Sequence, residues 1–364
     1  MVMRDLPHST PRWKSLGLLA WLLLASCAVR AQTGSYRIAF WNVENLFDAR
    51  HDTLRNDLDF TPYGSQHWNS RKLQHKCNQI YKAIVAMGWD SLSHSEKYLP
   101  ALVGLAEVEN ASVLRELCRG TPLRKTGYDF VHYESPDERG IDVALLYRPD
   151  LLRIAGARAI RVSDSAGGFL TRDLLSVLVI TNGGDTLALF VCHLPSKRGG
   201  SLAEAHRHRI ATLLRHEMDS MRLLHPQAIV LTIGDFNAAP TEPAITKGLG
   251  IAPSDSIPYR NLLGWLPRHM GTYNYQGIWT CIDQAFVSRN ALDGSLALQV
   301  RDGRGQVFRH VWLLEADPVH LTDKPRRTYA GPRYMGGPSD HLPIYLTLVR
   351  QERPRNAPEG ERGE

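Results

Sequence analysis

The sequence has few cysteines, no internal repeat and little excess charge. It contains 5 Cys among 364 residues, and no two form a C-x-x-C pair. This excludes a small disulfide-bonded scaffold and the usual zinc and redox motifs. Lys and Arg number 43 against 37 Asp and Glu. Residues 1–31 contain four of these cations and one acid, so the remainder has a net charge of only +3, which permits a polyanionic partner without arguing for one.

Long apolar runs are absent except near the N-terminus. Three cations within residues 1–15 precede an apolar run from Leu16 to Ala28, which is the layout of a secretory signal and too short to span a bilayer comfortably. Two processing sites compete. Leu24-Ala25-Ser26-Cys27 resembles a bacterial lipobox, which would remove residues 1–26 and tether a lipidated Cys27 to a membrane. Ala31 before Gln32 offers an ordinary cleavage site, giving a signal of residues 1–31. Either way, we expect a bacterial protein exported to the periplasm, the outer membrane or the medium.

The composition, 43% hydrophobic and 22% charged, is that of a globular protein. Short apolar runs separated by turn residues predict strands, and mixed polar and apolar stretches predict helices at Ser70–Met87 and Leu202–Leu224, with shorter ones at Asn110–Leu117 and Glu242–Lys247. The predicted strands are Tyr36–Trp41, Ala101–Ala106, Asp129–Tyr133, Ile141–Tyr147, Leu174–Ile180, Thr186–Cys192, Ala228–Ile233, Ile282–Ser288 and Leu342–Leu348. This alternation predicts an α/β domain with mixed sheets over residues 32–350, followed by a disordered tail at 351–364.

Polar side chains stand at the ends of several predicted strands, where apolar packing does not require them. A single carboxylate there is usually a turn former or a helix cap. Three Asp, two Glu, two Asn and two His together indicate a gathered catalytic site, and its oxygen donors suit magnesium or manganese better than zinc. The segments are Trp41-Asn42-Val43-Glu44, Ala106-Glu107, Cys192-His193, Gly234-Asp235-Phe236-Asn237, Ile282-Asp283 and Ser339-Asp340-His341.

These segments, in this order, resemble the endonuclease/exonuclease/phosphatase superfamily, which includes pancreatic deoxyribonuclease, bacterial sphingomyelinases and inositol-polyphosphate phosphatases. The resemblance covers residues 36–350 and is specific, since five separate blocks agree. It implies a four-layer α-β-β-α sandwich, in which two mixed β-sheets pack face to face and the active site lies at one end. The stretch from Asn45 to Trp68 is similar to an exported bacterial subgroup, so no single substrate follows from the resemblance.

The resemblance also implies roles for individual residues around a phosphate. Glu107 would hold Mg²⁺ or Mn²⁺, with Asn42 nearby as a metal or substrate contact and Asp340 as a further metal ligand. Asp235 would orient or deprotonate the attacking water. Asn237 would donate to a non-bridging oxygen.

Three further side chains complete the implied site. His341 would contact the phosphate, and Asp283 would fix its tautomer and raise its pKa. His193 would protonate the leaving group or bind phosphate, as in the deoxyribonuclease-like and sphingomyelinase-like members. Arg139, which ends a polar loop before a predicted strand, would contact the substrate phosphate.

The sequence therefore predicts a metal-dependent, monomeric phosphoesterase, foremost a phosphodiesterase that cuts nucleic acid. The alternative is a phospholipase C-like or phosphatase activity on phospholipids or inositol phosphates, which aromatic-rich loops at Gly264–Trp279 and Asp302–Gly337 would suit. A binding module that has lost turnover is a second alternative. The presence of every main catalytic residue argues against it.

Overall fold

Two central strands show why this sequence forms sheets. Ser35–Leu46 contains five β-branched or aromatic residues among 12, and almost the whole strand is buried. Ile229–Asp235 is buried throughout. In the computed structural model, which describes residues 34–88, 99–162, 169–251, 258–267 and 269–351, each is a core strand of its own sheet. The predicted export signal and residues 352–364 of the predicted tail lie outside the described residues.

The described residues form strands, three α-helices and several short 3₁₀- or π-helical turns. The helices are α1 (Ser70–Gly88), α2 (Ala111–Gly120) and α3 (Gly200–Leu224). The strands are β1 (Ser35–Leu46), β2 (Leu102–Val108), β3 (Asp129–His132), β4 (Asp142–Tyr147), β5 (Leu152–Ile160), β6 (Leu174–Thr181), β7 (Thr186–His193), β8 (Ile229–Asp235), β9 (Tyr259–Asn261), β10 (Tyr273–Tyr275), β11 (Ile278–Thr280), β12 (Asp283–Ser288), β13 (Leu298–Val300), β14 (Gln306–Val307), β15 (Leu314–Asp317), β16 (Thr322–Pro325), β17 (Tyr329–Ala330), β18 (Arg333–Tyr334) and β19 (Ile344–Arg350).

The first large sheet has the order β13-β19-β1-β2-β4-β3, with β14 added beside β19. Within it, β1 and β2 are parallel, and their register sets Asn42 opposite Ala106. The final strand, β19, is antiparallel to β1 and pairs Ile344 with Phe40. The end of β1, the end of β2 and the residues just before β19 therefore meet at one edge of the sheet.

The second large sheet has the order β5-β6-β7-β8-β12-β9. Its parallel pair is β7 and β8, whose register ends with His193 opposite Asp235. Strand β12 runs antiparallel to β8 and begins with Asp283 opposite the same Asp235. Three residues of the expected site thus form one row across three neighbouring strands.

The two sheets pack face to face. Their inner faces form one apolar core, which includes Phe40 and Leu145 from the first sheet and Leu189 and Ile233 from the second. Helices α1 and α2 cover the outer face of the first sheet, and α3 covers that of the second. The four-layer α-β-β-α architecture expected from the sequence is confirmed. Within the described residues, no helix is long and apolar enough to cross a membrane.

The structure differs from the sequence expectations at weakly patterned segments. Strand β5 was not expected, because it is an edge strand whose exposed positions include Gly156 and carry little apolar periodicity. The short helix expected at Glu242–Lys247 is a single π-helical turn, Ala244–Gly248. The four cysteines within the described residues are buried and free.

Close approach of β7 and β8 requires glycine at position 234. A Cβ there would lie 2.3 Å from the Sγ of Cys192 and 2.4 Å from its carbonyl oxygen, and the backbone atom cannot move aside cheaply. We predict that Gly234→Ala lowers the free energy of unfolding by about 1–3 kcal/mol, as overpacking does elsewhere. The control is Gly156→Ala on β5, where a Cβ meets nothing within 4 Å. Urea denaturation of both variants tests this, and equal midpoints would contradict it.

Candidate active site

Asp235 lies at the centre of the site and is almost completely buried. Its Oδ1 accepts a hydrogen bond from the backbone N–H of Asn237 at 2.8 Å, and its Oδ2 accepts one from the Nδ2 of Asn42 at 3.0 Å. Burial raises the pKa of Asp235 to about 7, and the nearby charge of Asp283 adds to this. A carboxyl group with such a pKa exchanges protons readily near neutral pH.

Glu107 reaches the same centre from the first sheet. The Nδ2 of Asn42 lies 3.5 Å from its Oε1, and the backbone N–H of Asn45 donates to its Oε2 at 2.9 Å. The Oδ1 of Asn42 accepts from the backbone N–H of Glu44, so the amide turns its nitrogen toward both carboxylates. Asn42 therefore joins the carboxylate of Glu107 to that of the buried Asp235.

His341 and Asp283 form a buried pair. The Nδ1 of His341 lies 2.8 Å from the Oδ2 of Asp283, and its Nε2 lies 3.9 Å from the Oδ2 of Asp235. Burial opposes the charge on His341, but the carboxylate of Asp283, helped by those of Asp235 and Asp340, holds its pKa well above the ordinary value. The imidazole is therefore protonated at neutral pH, with Nδ1 fixed by Asp283 and Nε2 turned toward Asp235.

His193 is buried beside Asp235 but differs from His341 in charge. Its Nε2 lies 3.5 Å from the Oδ2 of Asp235 and 4.0 Å from the Oε1 of Glu107. Its Nδ1 is buried without a hydrogen-bond partner. Burial, followed by the positive charges of Arg172 and Arg139, holds its pKa well below the usual value. The site therefore contains one neutral and one positively charged imidazole.

Half-exposed cations surround this buried centre. Arg139 contacts the side chain of Asn45, and its Nη2 lies 3.7 Å from the Oε2 of Glu107. On another side, the Nη2 of Arg327 donates to the Oδ2 of Asp340 at 2.8 Å. The Oδ1 of Asp340 lies 3.9 Å from the Nε2 of His341. The structure thus brings together all nine residues expected from the sequence: Asn42, Glu107, Arg139, His193, Asp235, Asn237, Asp283, Asp340 and His341.

The sequence did not point to three cations that support the site. Arg327 lies in a loop without a recognisable pattern. Arg172 is buried and bridges the Oδ2 of Asp137 and the carbonyl of Leu194, and the Nδ2 of Asn237 donates to that same carbonyl. Lys76 is buried in α1, where it contacts Thr328 and Pro338. Only Lys76 could have been noticed in the sequence, because a lysine stands at a position where the helical pattern of α1 predicts a buried residue.

The donor set fits a divalent cation. Two carboxylates lie beside the imidazoles that contact Asp235: the Oε1 of Glu107 is 4.0 Å from the Nε2 of His193, and the Oδ1 of Asp340 is 3.9 Å from the Nε2 of His341. Hard cations take such oxygen ligands from a few carboxylates and retain water. Neutral His193 and protonated His341 are then free to contact a substrate.

These features define a phosphoester hydrolase, and comparison with known proteins places the chain within a family. Residues 37–350 match the model of the Endonuclease/Exonuclease/phosphatase family. The chain belongs to this family, and it is a divalent-metal-dependent enzyme that hydrolyses phosphoric esters. A comparison with curated proteins gives no match.

Solved structures with the same fold come from bacteria and animals. TDP2 from D. rerio, in complex with a single-strand DNA product, is 18% identical; the alignment covers 86% of this chain and 99% of that one, with a TM-score of 0.53. The mannosyl-6-phosphatase from Bacteroides thetaiotaomicron has the same identity, coverage and TM-score. A further family member from that bacterium is 17% identical, with 88% and 100% coverage and a TM-score of 0.54. At these identities the similarity concerns the fold.

The charge on His341 depends on its partner, which gives a direct test. In Asp283→Asn the imidazole stays buried but loses the carboxylate at Nδ1, so the pKa of His341 should fall. The measurement is an NMR pH titration of the imidazole in protein kept metal-free with EDTA. The control is Asp293→Asn, an exposed carboxylate whose change should leave this pKa unaltered. A wild-type pKa in Asp283→Asn would contradict the assignment.

Proposed function

We propose that this enzyme is a phosphodiesterase that hydrolyses nucleic acid, with Mg²⁺ or Mn²⁺ as its cofactor, and that it acts as a monomer outside the cytoplasm. The observation that carries the proposal is the convergence of Asn42, Glu107, Asp235, His193 and His341 at one end of the sandwich. The buried centre around Asp235, with the half-exposed Arg139 and Arg327 beside it, suits an anionic substrate that approaches from solvent.

Asp235 is the residue that holds the attacking water. Its two oxygens are fixed by the Asn237 backbone N–H and the Asn42 amide, so the carboxylate cannot rotate freely. A pKa of about 7 allows it to accept a proton from that water near neutral pH. Asn42 therefore serves to orient the base.

His341 serves as the positively charged contact for the phosphate. Asp283 fixes its Nδ1, and Nε2 is left as the donor toward the substrate oxygen. His193 is neutral and serves as a hydrogen-bonding contact, so proton donation to the leaving group falls to His341. The amide nitrogen of Asn237 donates one hydrogen to the Leu194 carbonyl, and its second hydrogen is the donor proposed to bind phosphate.

Glu107 and Asp340 are the residues proposed to hold the metal ion. When bound there, a divalent cation supplies positive charge to the scissile phosphate and stabilises the charge that develops during attack. Arg139 and Arg327 lie beside these two carboxylates and serve to bind phosphate oxygens on either side of the scissile bond.

Two observations support nucleic acid as the substrate. Arg139 and Arg327 flank the buried centre on different loops, which suits a substrate with phosphates beyond the one cleaved. One relative with this fold, D. rerio TDP2, has been solved with a single-strand DNA product. The comparison with TDP2 is an analogy that rests on the fold alone.

A lipid or phosphosugar substrate is the second candidate. The β10–β11 hairpin exposes 70% of Ile278, and the β15–β16 hairpin exposes 91% of Leu321, although apolar tips are costly in water. Such side chains suit a lipid surface. A relative with this fold is a mannosyl-6-phosphatase, which shows that phosphomonoesters also occur as substrates in this fold.

Removal of the proposed base or of the charged imidazole should abolish turnover. We predict that Asp235→Asn and His341→Gln each lower kcat by about 10²–10⁴-fold, the usual contribution of general acid–base groups, while their circular dichroism stays that of the wild type. The control, Asp293→Asn, should retain full activity. Nicking of supercoiled DNA is the assay, because its alkoxide leaving group needs the proton that His341 is proposed to supply. Near-wild-type turnover in either variant would refute the mechanism.

The substrate class is tested by a parallel assay. Supercoiled DNA, RNA, sphingomyelin and inositol phosphates are each offered with magnesium, manganese or EDTA. We expect DNA nicking that EDTA stops, and binding that weakens steeply as salt rises. Turnover of lipid or inositol phosphate without DNA cleavage would favour the second candidate. Failure on every substrate would favour a binding module.

A further inference from the structure

A second cluster of metal-ligating side chains lies outside the catalytic centre, where β3 ends and β4 begins. The Nε2 of His132 lies 3.1 Å from the Oδ2 of Asp142, and its Nδ1 lies 3.9 Å from the Oε1 of Glu134. Ligand atoms of all three residues lie within 4.8 Å of one another. His132 and Asp142 are nearly inaccessible to solvent, whereas the Glu134 side chain is 57% exposed. One side of the cluster is therefore open to solvent.

A fourth carboxylate belongs to this region. Asp173 comes directly before β6 of the other sheet and lines one cavity with Asp142, Tyr133 and Ser135. The residue is only 5% exposed, and its Oδ2 accepts no hydrogen bond. The Nε of Arg161 lies 3.5 Å from this oxygen, on a side chain that is itself 60% exposed. A buried carboxylate oxygen left in this state lacks a strong partner.

The two carboxylates of the cluster repel each other. Carboxylate oxygens of Glu134 and Asp142 lie within 4.8 Å of each other, and like charges at such a separation are unfavourable. The guanidinium of Arg55 donates to the carbonyls of Ser135 and Asp137 instead of to a carboxylate. A bound cation would relieve this repulsion.

We propose that His132, Glu134 and Asp142, with Asp173 beside them, form a second divalent-metal site that takes a zinc-type transition cation. The imidazole distinguishes it from the catalytic carboxylates, because nitrogen ligands favour zinc and its neighbours over magnesium or calcium. Two carboxylates and one imidazole are a ligand set that zinc accepts, with water completing the coordination.

The site would stabilise the loop that carries Arg139. The Oδ1 of Asp142 accepts from the backbone N–H of Ser135 at 2.9 Å, and the Oδ1 of Asp137 accepts from that of Arg139 at 3.0 Å. A metal ion held by Asp142 and Glu134 would fix the start of this loop and the strand that follows it. Its role is structural support for the substrate-binding side of the active site.

Zinc binding to the full chain tests the proposal. The metal-free protein is dialysed against Zn²⁺ with Mg²⁺ in excess, and bound zinc is measured by mass spectrometry. The main variant is Glu134→Gln, chosen because the exposed side chain can change without disturbing the fold. Glu138→Gln, an exposed neighbour in the same loop, is the matched control. Glu107→Gln removes the catalytic metal ligand and separates the two sites.

We expect the wild type, Glu138→Gln and Glu107→Gln each to bind one zinc ion with the same affinity. The affinity of Glu134→Gln for zinc should be at least tenfold lower. Zinc should raise the Tm of the first three proteins and not that of the fourth. Equal zinc binding by Glu134→Gln and the wild type would overturn the proposal. Displacement of the zinc by an equal concentration of calcium would overturn the assignment to a transition cation.

Discussion

The buried carboxylate of Asp235 is the constraint on which the arrangement of the surrounding side chains depends. Asp235 has lost almost all contact with water, and an isolated charge there would be costly. Its two hydrogen bonds come from different sheets, the Asn237 N–H from its own and the Asn42 amide from the other. The sandwich must therefore be assembled before this carboxylate is correctly held. Stability of the fold and orientation of the carboxylate depend on the same contacts.

Strained backbone conformations occur at several residues in and beside the same site. Glu44, Asn45, Glu107 and Asn237 all have positive φ angles, between 47° and 61°, although none is glycine. Such conformations are unfavourable for side chains with a Cβ, and they persist where the surrounding structure enforces them. At Glu107 the turn accompanies a break in the register between β2 and β4. The apolar core between the sheets supplies the rigidity that keeps these side chains aimed at the centre.

Much of this arrangement could be predicted from the sequence, because polar residues at strand ends interrupt apolar runs visibly. His193, Asp235 and Asp283 were recognised this way, and strand register then placed them in one row. Arg172 and Arg327 were missed because each makes its contacts through the folded loops and leaves no periodic signal. The sequence also could not predict that His193 is neutral whereas His341 is positively charged. This difference arises because the carboxylate of Asp283 is bonded to His341, whereas burial and the positive charges of Arg172 and Arg139 act on His193.

Two side-chain hydrogen bonds join the first strand of the described fold to the segment before its last strand. The Oγ of Ser339 donates to the carbonyl of Asn42 at 2.6 Å across a sequence separation of 297 residues, and Trp41 donates to the carbonyl of His341. The first strand and the segment before the last strand are thus two halves of a single centre. A chain that has emerged only in part from the ribosome has Asn42 and Glu107 but lacks His341. The contacts of the proposed site are therefore complete only when the segment before the last described strand has folded onto the first strand.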